Sequence, residues 1–249
     1  MPAMRPIPSS LKIEHAFLEK EVVVSRTALP TDWAAGVAAQ GLDVEVIDDI
    51  VDRAYVAPVT TWPTETAVFR AFELTPLDRV RVVVVGQDPY PSAADATGVA
   101  FSTGPRGAVR DALKAVYANL SSDPAFAAPS HGDLTEWAER GALLLNAALT
   151  LGATSLDMRC SLWRPLLRAA LAAVSATGKP IPVVLLGGRA VALRAAVKDP
   201  AAVQAAGHPT PRNKRANQFP LFEYARPFRD ANAFLMSRGE APFDWSLAP

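Results

Sequence analysis

A carboxylate, a phenol, a carboxamide and an imidazole stand at comparable places in this chain, each just past an apolar run. Asp88 and Tyr90 follow Val82-Val83-Val84-Val85-Gly86-Gln87, Asn146 ends Leu143-Leu144-Leu145, and His208 follows the run from Ala201 to Ala206 and Gly207. Gly187-Gly188 follow a further run, Val183 to Leu186. A carboxylate can hold a proton or stabilise positive charge, an amide both donates and accepts, and an imidazole titrates near neutrality. Singly, each has a structural reading. Asp and Pro are common in any strand-to-loop turn, Asn146 could cap a turn, and His208-Pro209-Thr210-Pro211 could be a rigid turn. Together they gain meaning only if one framework gathers them.

The framework is legible in the same runs. Four valines in a row read as a strand buried on both faces, the kind found inside parallel sheets. Strands are expected at 82–86, 143–146, 183–186 and 201–206. Between them lie helical patterns: Val109, Leu113, Val116 and Leu120; a short helix over 134–140 with Asp133 and Glu136 at capping-box spacing; a helix capped by Ser161 and carrying Leu162, Leu166, Leu167, Leu171 and Val174, with Pro165 in its first turn; and a helix over 190–197. Phe228, Ala231 and Leu235 mark a last helix. Upstream, Val44, Ile47, Ile50, Val51 and Ala54 mark an amphipathic helix, and another is expected over 65–72. Residues 1–30 read as a surface arm.

Strands alternating with helices predict an α/β fold: a single domain over 1–249, less defined over 1–60, with a central four-stranded parallel twisted sheet and helices on both faces. In such sheets ligands bind beyond the carboxyl ends of the strands. Asp88, Tyr90, Asn146, Gly187, Gly188 and His208 would then share one edge, which is a site.

Composition bounds the class. The chain has 249 residues, half of them apolar, and a formal net charge of zero, so any phosphate-binding surface must be a local patch. The single cysteine, Cys160, excludes an internal disulfide and a cysteine-based zinc site and fits a reducing compartment. No signal-peptide pattern opens the chain and no run approaches the roughly 20 apolar residues of a membrane span. The expectation is a cytoplasmic protein.

The segments Gly86-Gln87-Asp88-Pro89-Tyr90, Gly98-Val99-Ala100-Phe101-Ser102, the Leu143 to Leu151 run and His208-Pro209-Thr210-Pro211 resemble, in order, the motifs of family 1 uracil-DNA glycosylases. Leu74-Thr75-Pro76-Leu77, His131-Gly132-Asp133-Leu134-Thr135 and Pro242-Phe243-Asp244-Trp245 extend the resemblance, which spans roughly 61–245. It implies a monofunctional, monomeric base-excision-repair hydrolase that flips deoxyuridine out of single- or double-stranded DNA and cleaves its N-glycosidic bond. Phe101 would stack on the base, Asn146 would read its O4 and N3–H, and Tyr90 would occupy the place of a 5-methyl group. Asp88 would stabilise the sugar cation and orient water. His208 and backbone N–H groups near Gln87 would stabilise charge on O2, and this chemistry would need no metal and no cofactor.

The chain also departs from that pattern. Pro91 stands where the family has histidine, Arg106-Gly107-Ala108-Val109 replaces a proline-rich loop, and Gly188-Arg189 replaces a Gly-Ser step. After Thr210, Arg212 takes the place of an inserted leucine and opens the basic run Arg212-Asn213-Lys214-Arg215. Pro91, Ala108, Gly188, Arg189, Thr210, Arg212, Lys214 and Arg215 are therefore the expected DNA-contacting set. Two other readings stay open on sequence alone: a non-catalytic relative that binds damaged or single-stranded DNA, and an α/β enzyme acting on a nucleoside or nucleotide.

Overall fold

The computed structural model describes residues 29–105, 107–210 and 220–249. Along the chain lie α1 (Thr31–Ala38), α2 (Val44–Ala54), α3 (Arg70–Leu74), β1 (Val82–Gly86), α4 (Asp111–Leu120), α5 (Thr135–Glu139), β2 (Ala142–Asn146), α6 (Leu156–Ala176), β3 (Val183–Leu186), the single turn α7 (Gly188–Val191), β4 (Val203–Ala206) and α8 (Pro227–Ser237). The four strands form one parallel sheet in the order β2-β1-β3-β4. β1 is central, with β2 on one side and β3 on the other. Sheet growth reverses direction there, and such a reversal leaves a crevice at the strands' carboxyl ends.

The strand residues alternate between two cores. Val83, Val85, Leu143, Leu145, Val183 and Leu185 pack with Trp33, Ile47, Ile50, Trp163 and Leu166 of α1, α2 and α6. Val82, Val84, Leu144, Val184 and Leu186 face the other way, onto Leu113, Val116, Trp137, Phe228 and Trp245. Burial on both faces is what the unbroken apolar runs of β1, β2 and β3 require. β4 is an edge strand and only half-buried.

Several elements differ from expectation. The long helix begins six residues earlier than Ser161: the Ser155 hydroxyl accepts the Met158 N–H at 3.3 Å and caps it. Pro165 consequently lies in the helix interior, where it leaves the Ser161 carbonyl without its helical donor. The Asp133–Glu136 capping box does not form. Asp133 accepts the backbone N–H and hydroxyl of Thr135, whereas Glu136 turns outward to pair with Arg140 at 2.6 Å. The helix expected over 190–197 is one α-turn followed by a short 3-10 turn (Arg194–Ala196), and a 3-10 turn capped by Asp199 replaces the start of the strand expected from Ala201. α1 was not anticipated. It buries Trp33 and Val37, one turn apart, and the Trp33 indole donates to the Thr75 carbonyl at 2.9 Å. The expected arm at 1–28 lies outside the described residues.

The motifs far from the strand ends are clamps. Thr75, fully buried, donates to the carbonyls of Ala138 and Ala142. The Trp137 indole donates to the Trp245 carbonyl at 2.8 Å, which ties the C-terminal segment to α5.

Candidate active site

The segment after β1 and the residues that end or follow β2 and β4 enclose a cleft of about 830 Å³. Gln87, Asp88, Tyr90, Pro91, Phe101, Ala108, Asn146, His208 and Thr210 all line it. The sheet register explains the convergence of two of them. Gly86 is paired with Asn146, and a Cβ on Gly86 would lie 2.7 Å from the Asn146 amide oxygen and 2.9 Å from the Phe101 ring. The amide and the aromatic face therefore sit side by side over one glycine, and only a residue without a side chain leaves them room.

Phe101 takes φ of +66°, the left-handed region that aromatic residues rarely occupy. The Tyr90 hydroxyl donates to the Phe101 carbonyl at 3.2 Å and holds that conformation. Burial, with the Asp95 carboxylate adding to it, pushes the Tyr90 phenol well above its ordinary range, so it stays a neutral donor. Tyr90 thus has two tasks: filling space in the cleft and fixing the ring beside it.

Asp88 is held at both oxygens. The Gln87 side-chain amide donates to Oδ1 at 3.1 Å and Arg159 Nη2 donates to Oδ2 at 3.3 Å. His208 packs on Gly187, whose φ of +96° turns the chain out of β3. Its imidazole lies below the ordinary histidine range because burial opposes charging, an effect the Asp88 carboxylate partly offsets. The Thr210 backbone N–H, which can only donate, points at Nδ1 at 3.2 Å, and the Thr210 hydroxyl lies 3.0 Å from the same atom. Nδ1 therefore accepts, and the single proton of the neutral ring sits on Nε2.

Not every expected residue lies on the cleft wall. Gly188 and Arg189 sit just beyond β3 and do not line it; Arg189 pairs instead with Asp157 in the first turn of α6. Arg212, Lys214 and Arg215 lie outside the described residues. Others were missed. Arg110, the residue before α4, and Lys114 within it line the cleft, and Arg110 is anchored at 2.5 Å by Asp95, which is buried. Arg159 was missed because the helix was expected to start at Ser161. Started at Ser155, the helix places Arg159 four residues before Trp163 and seven before Leu166, both buried, so its inward direction is readable.

A carboxylate fixed by donors, a neutral imidazole offering Nε2–H, and an amide beside an aromatic face can bind a planar heterocycle and stabilise charge separating across it. The chain is also similar to known proteins over most of its length. The family model "Uracil DNA glycosylase superfamily" matches residues 72–235. The uracil-DNA glycosylase of Thermobifida fusca is 35% identical over 223 residues, 88% of this chain and 94% of that protein. That of Lacticaseibacillus casei is 39% identical over 194 residues, 77% of this chain and 82% of its own. The crystal structure of mimivirus uracil-DNA glycosylase shares the fold with a TM-score of 0.71 at 22% identity, covering 87% of this chain and 85% of that one.

Proposed function

The chain belongs to the uracil-DNA glycosylase superfamily, and from that premise we propose how its cleft hydrolyses the bond between uracil and deoxyribose in DNA. A glycosidic bond inside a duplex is out of reach, so the deoxyuridine is flipped into the cleft. Phe101 stacks on the base. The Asn146 amide donates to O4 and accepts from N3–H; cytosine presents the reverse pattern and would leave buried groups unpaired. Tyr90 fills the space a 5-methyl group would need.

As the bond between N1 and C1′ lengthens, its electron pair moves onto the uracil ring, and O2 gains negative charge. His208 Nε2–H and the backbone N–H groups near Gln87 stabilise that charge. The sugar becomes cationic, and the Asp88 carboxylate stabilises it. Water held by Asp88 adds to C1′ and gives up one proton to the carboxylate, leaving an abasic sugar and the uracil anion; the anion takes up a proton from solvent as Asp88 returns its own. A neutral His208 suits this step, since a developing anion needs a donor and gains one without a full buried cation in the empty site.

Arg110 and Lys114, together with the basic run 212–215, carry the phosphates flanking the flipped nucleotide. The enzyme works as a monomer in the cytoplasm; among the described residues no helix is long and apolar enough to cross a membrane. The observation that carries the reading is the meeting of Asp88, Asn146, Phe101 and His208 in one cleft at the sheet's switch point. Its test is release of free uracil from uracil-containing single- and double-stranded oligonucleotides, with deoxyuridine as the control substrate. Release from DNA and none from the nucleoside is the expected result. Release from deoxyuridine alone would assign the cleft to nucleosides, and release from neither would leave only DNA binding.

A further inference from the structure

We propose that Arg159 is a positioning residue for Asp88, holding that carboxylate turned toward the attacking water. The inference rests on Asp88 being the carboxylate of the hydrolysis. Among the described residues Arg159 is the only buried cation. The helical spacing that buries Trp163 and Leu166 forces it inward, and its Nη2 lies 3.3 Å from Asp88 Oδ2. Its Nε and Nη1 are buried without an acceptor among the described residues. Burying a guanidinium with donors unspent is unfavourable, and an apolar side chain of similar volume would pack the helix more stably. What the guanidinium adds is its effect on Asp88.

That effect is specific. Gln87 and Arg159 each present a donor to one carboxylate oxygen, and the guanidinium can only donate. The two donors fix the rotation of the carboxylate, while each oxygen keeps a lone pair for water. Arg159 also weakens the attraction between Asp88 and the sugar cation, so its contribution is orientation rather than direct stabilisation of the sugar. The other titratable groups that interact with Asp88 are Cys160 of α6 and His208 beyond β4, and the Arg189–Asp157 pair lies next to Cys160. The Cys160 thiol, raised by burial, and the neutral His208 leave Arg159 as the cation in contact with Asp88.

The experiment measures uracil release, its KM and thermal stability for wild type, Arg159→Met, Arg159→Lys and Asp88→Asn. Arg159→Met is expected to lower the rate roughly tenfold or more with little change in KM and no loss of stability, the scale of a misplaced reacting group. Arg159→Lys keeps a donor toward Oδ2 and should recover part of that rate. Should Arg159→Met not fold, Arg159→Gln, shorter and neutral, carries the same readout. A wild-type rate in the neutral variant, or a loss that Arg159→Lys does not relieve, overturns the proposal. Asp88→Asn separates the two claims. If it is inactive while Arg159→Met behaves as wild type, only the role of Arg159 falls. If it cleaves at the wild-type rate, the reading of Asp88 falls and the inference with it.

Discussion

In the proposed mechanism His208 acts uncharged, and its surroundings make a prediction about stability as well as catalysis. Burial lowers its affinity for a proton in the folded state below that of the unfolded chain. Above the ordinary histidine value both states are neutral at this residue and the difference vanishes. As pH falls below that value the unfolded state takes up a proton first, so the folded protein loses stability until the lowered folded-state value is passed. A thermal melt at about pH 7.5 and about pH 5.5 should show a loss for wild type that is smaller in His208→Gln. Equal losses in the two proteins would mean that His208 charges freely in the fold. Tyr90 separates bulk from hydrogen bonding. Tyr90→Phe should keep thymine excluded while loosening Phe101, and Tyr90→Ala should release thymine from a thymine-containing duplex. No thymine release by Tyr90→Ala would remove Tyr90 from base selection.

At the scale of elements, the end of β1 is the tightest point. Gly86→Ala would put a methyl group within 3 Å of both the Asn146 amide oxygen and the Phe101 ring. We expect at least a tenfold loss of uracil release and about 1–3 kcal/mol of stability, the scale of overpacking a filled site. A wild-type rate in that variant would show that the amide and ring do not need their present places. The strands and the residues at their ends were legible because buried parallel strands announce themselves as unbroken apolar runs. The helix starts were less so. Ser155 and Ser161 are equally good caps by type, and Pro165 argued for the later one because proline is best tolerated in a first turn. Tertiary packing decided otherwise, since starting at Ser155 lets α6 bury Arg159 and Cys160 ahead of Trp163. α1 escaped notice because eight residues with one glycine carry little periodic signal, and its burial comes from Trp33 reaching Thr75 and Phe72.

For the whole molecule, zero net charge leaves DNA affinity to local cations. Arg110 is held at the cleft by a buried aspartate and so loses little side-chain freedom on meeting a phosphate. Across a salt series, Arg110→Ala and Arg212→Ala should each weaken DNA binding and flatten the slope of log affinity against log salt by up to about 0.7–0.9, one contact's worth. Slopes parallel to wild type would show that these arginines touch no phosphate. The sheet order, by contrast, was not readable from the chain. Alternation of strands and helices predicts a parallel sheet, but the central place of β1 emerges only from the pairing of its two edges with β2 and β3. That central place is why the segment after β1 forms the floor of the site.

The account stands on Asp88 acting as a carboxylate in glycosidic hydrolysis. The most direct measurement is single-turnover release of uracil from a uracil-containing oligonucleotide by wild type and Asp88→Asn, with DNA binding followed in parallel. Asparagine keeps an oxygen to accept from Arg159 but has no charge to stabilise the sugar and no basic oxygen for the water proton. The account predicts a rate lower by roughly 10²-fold or more, the scale of lost acid–base and electrostatic help, with affinity for DNA little changed. A wild-type rate in Asp88→Asn would contradict it.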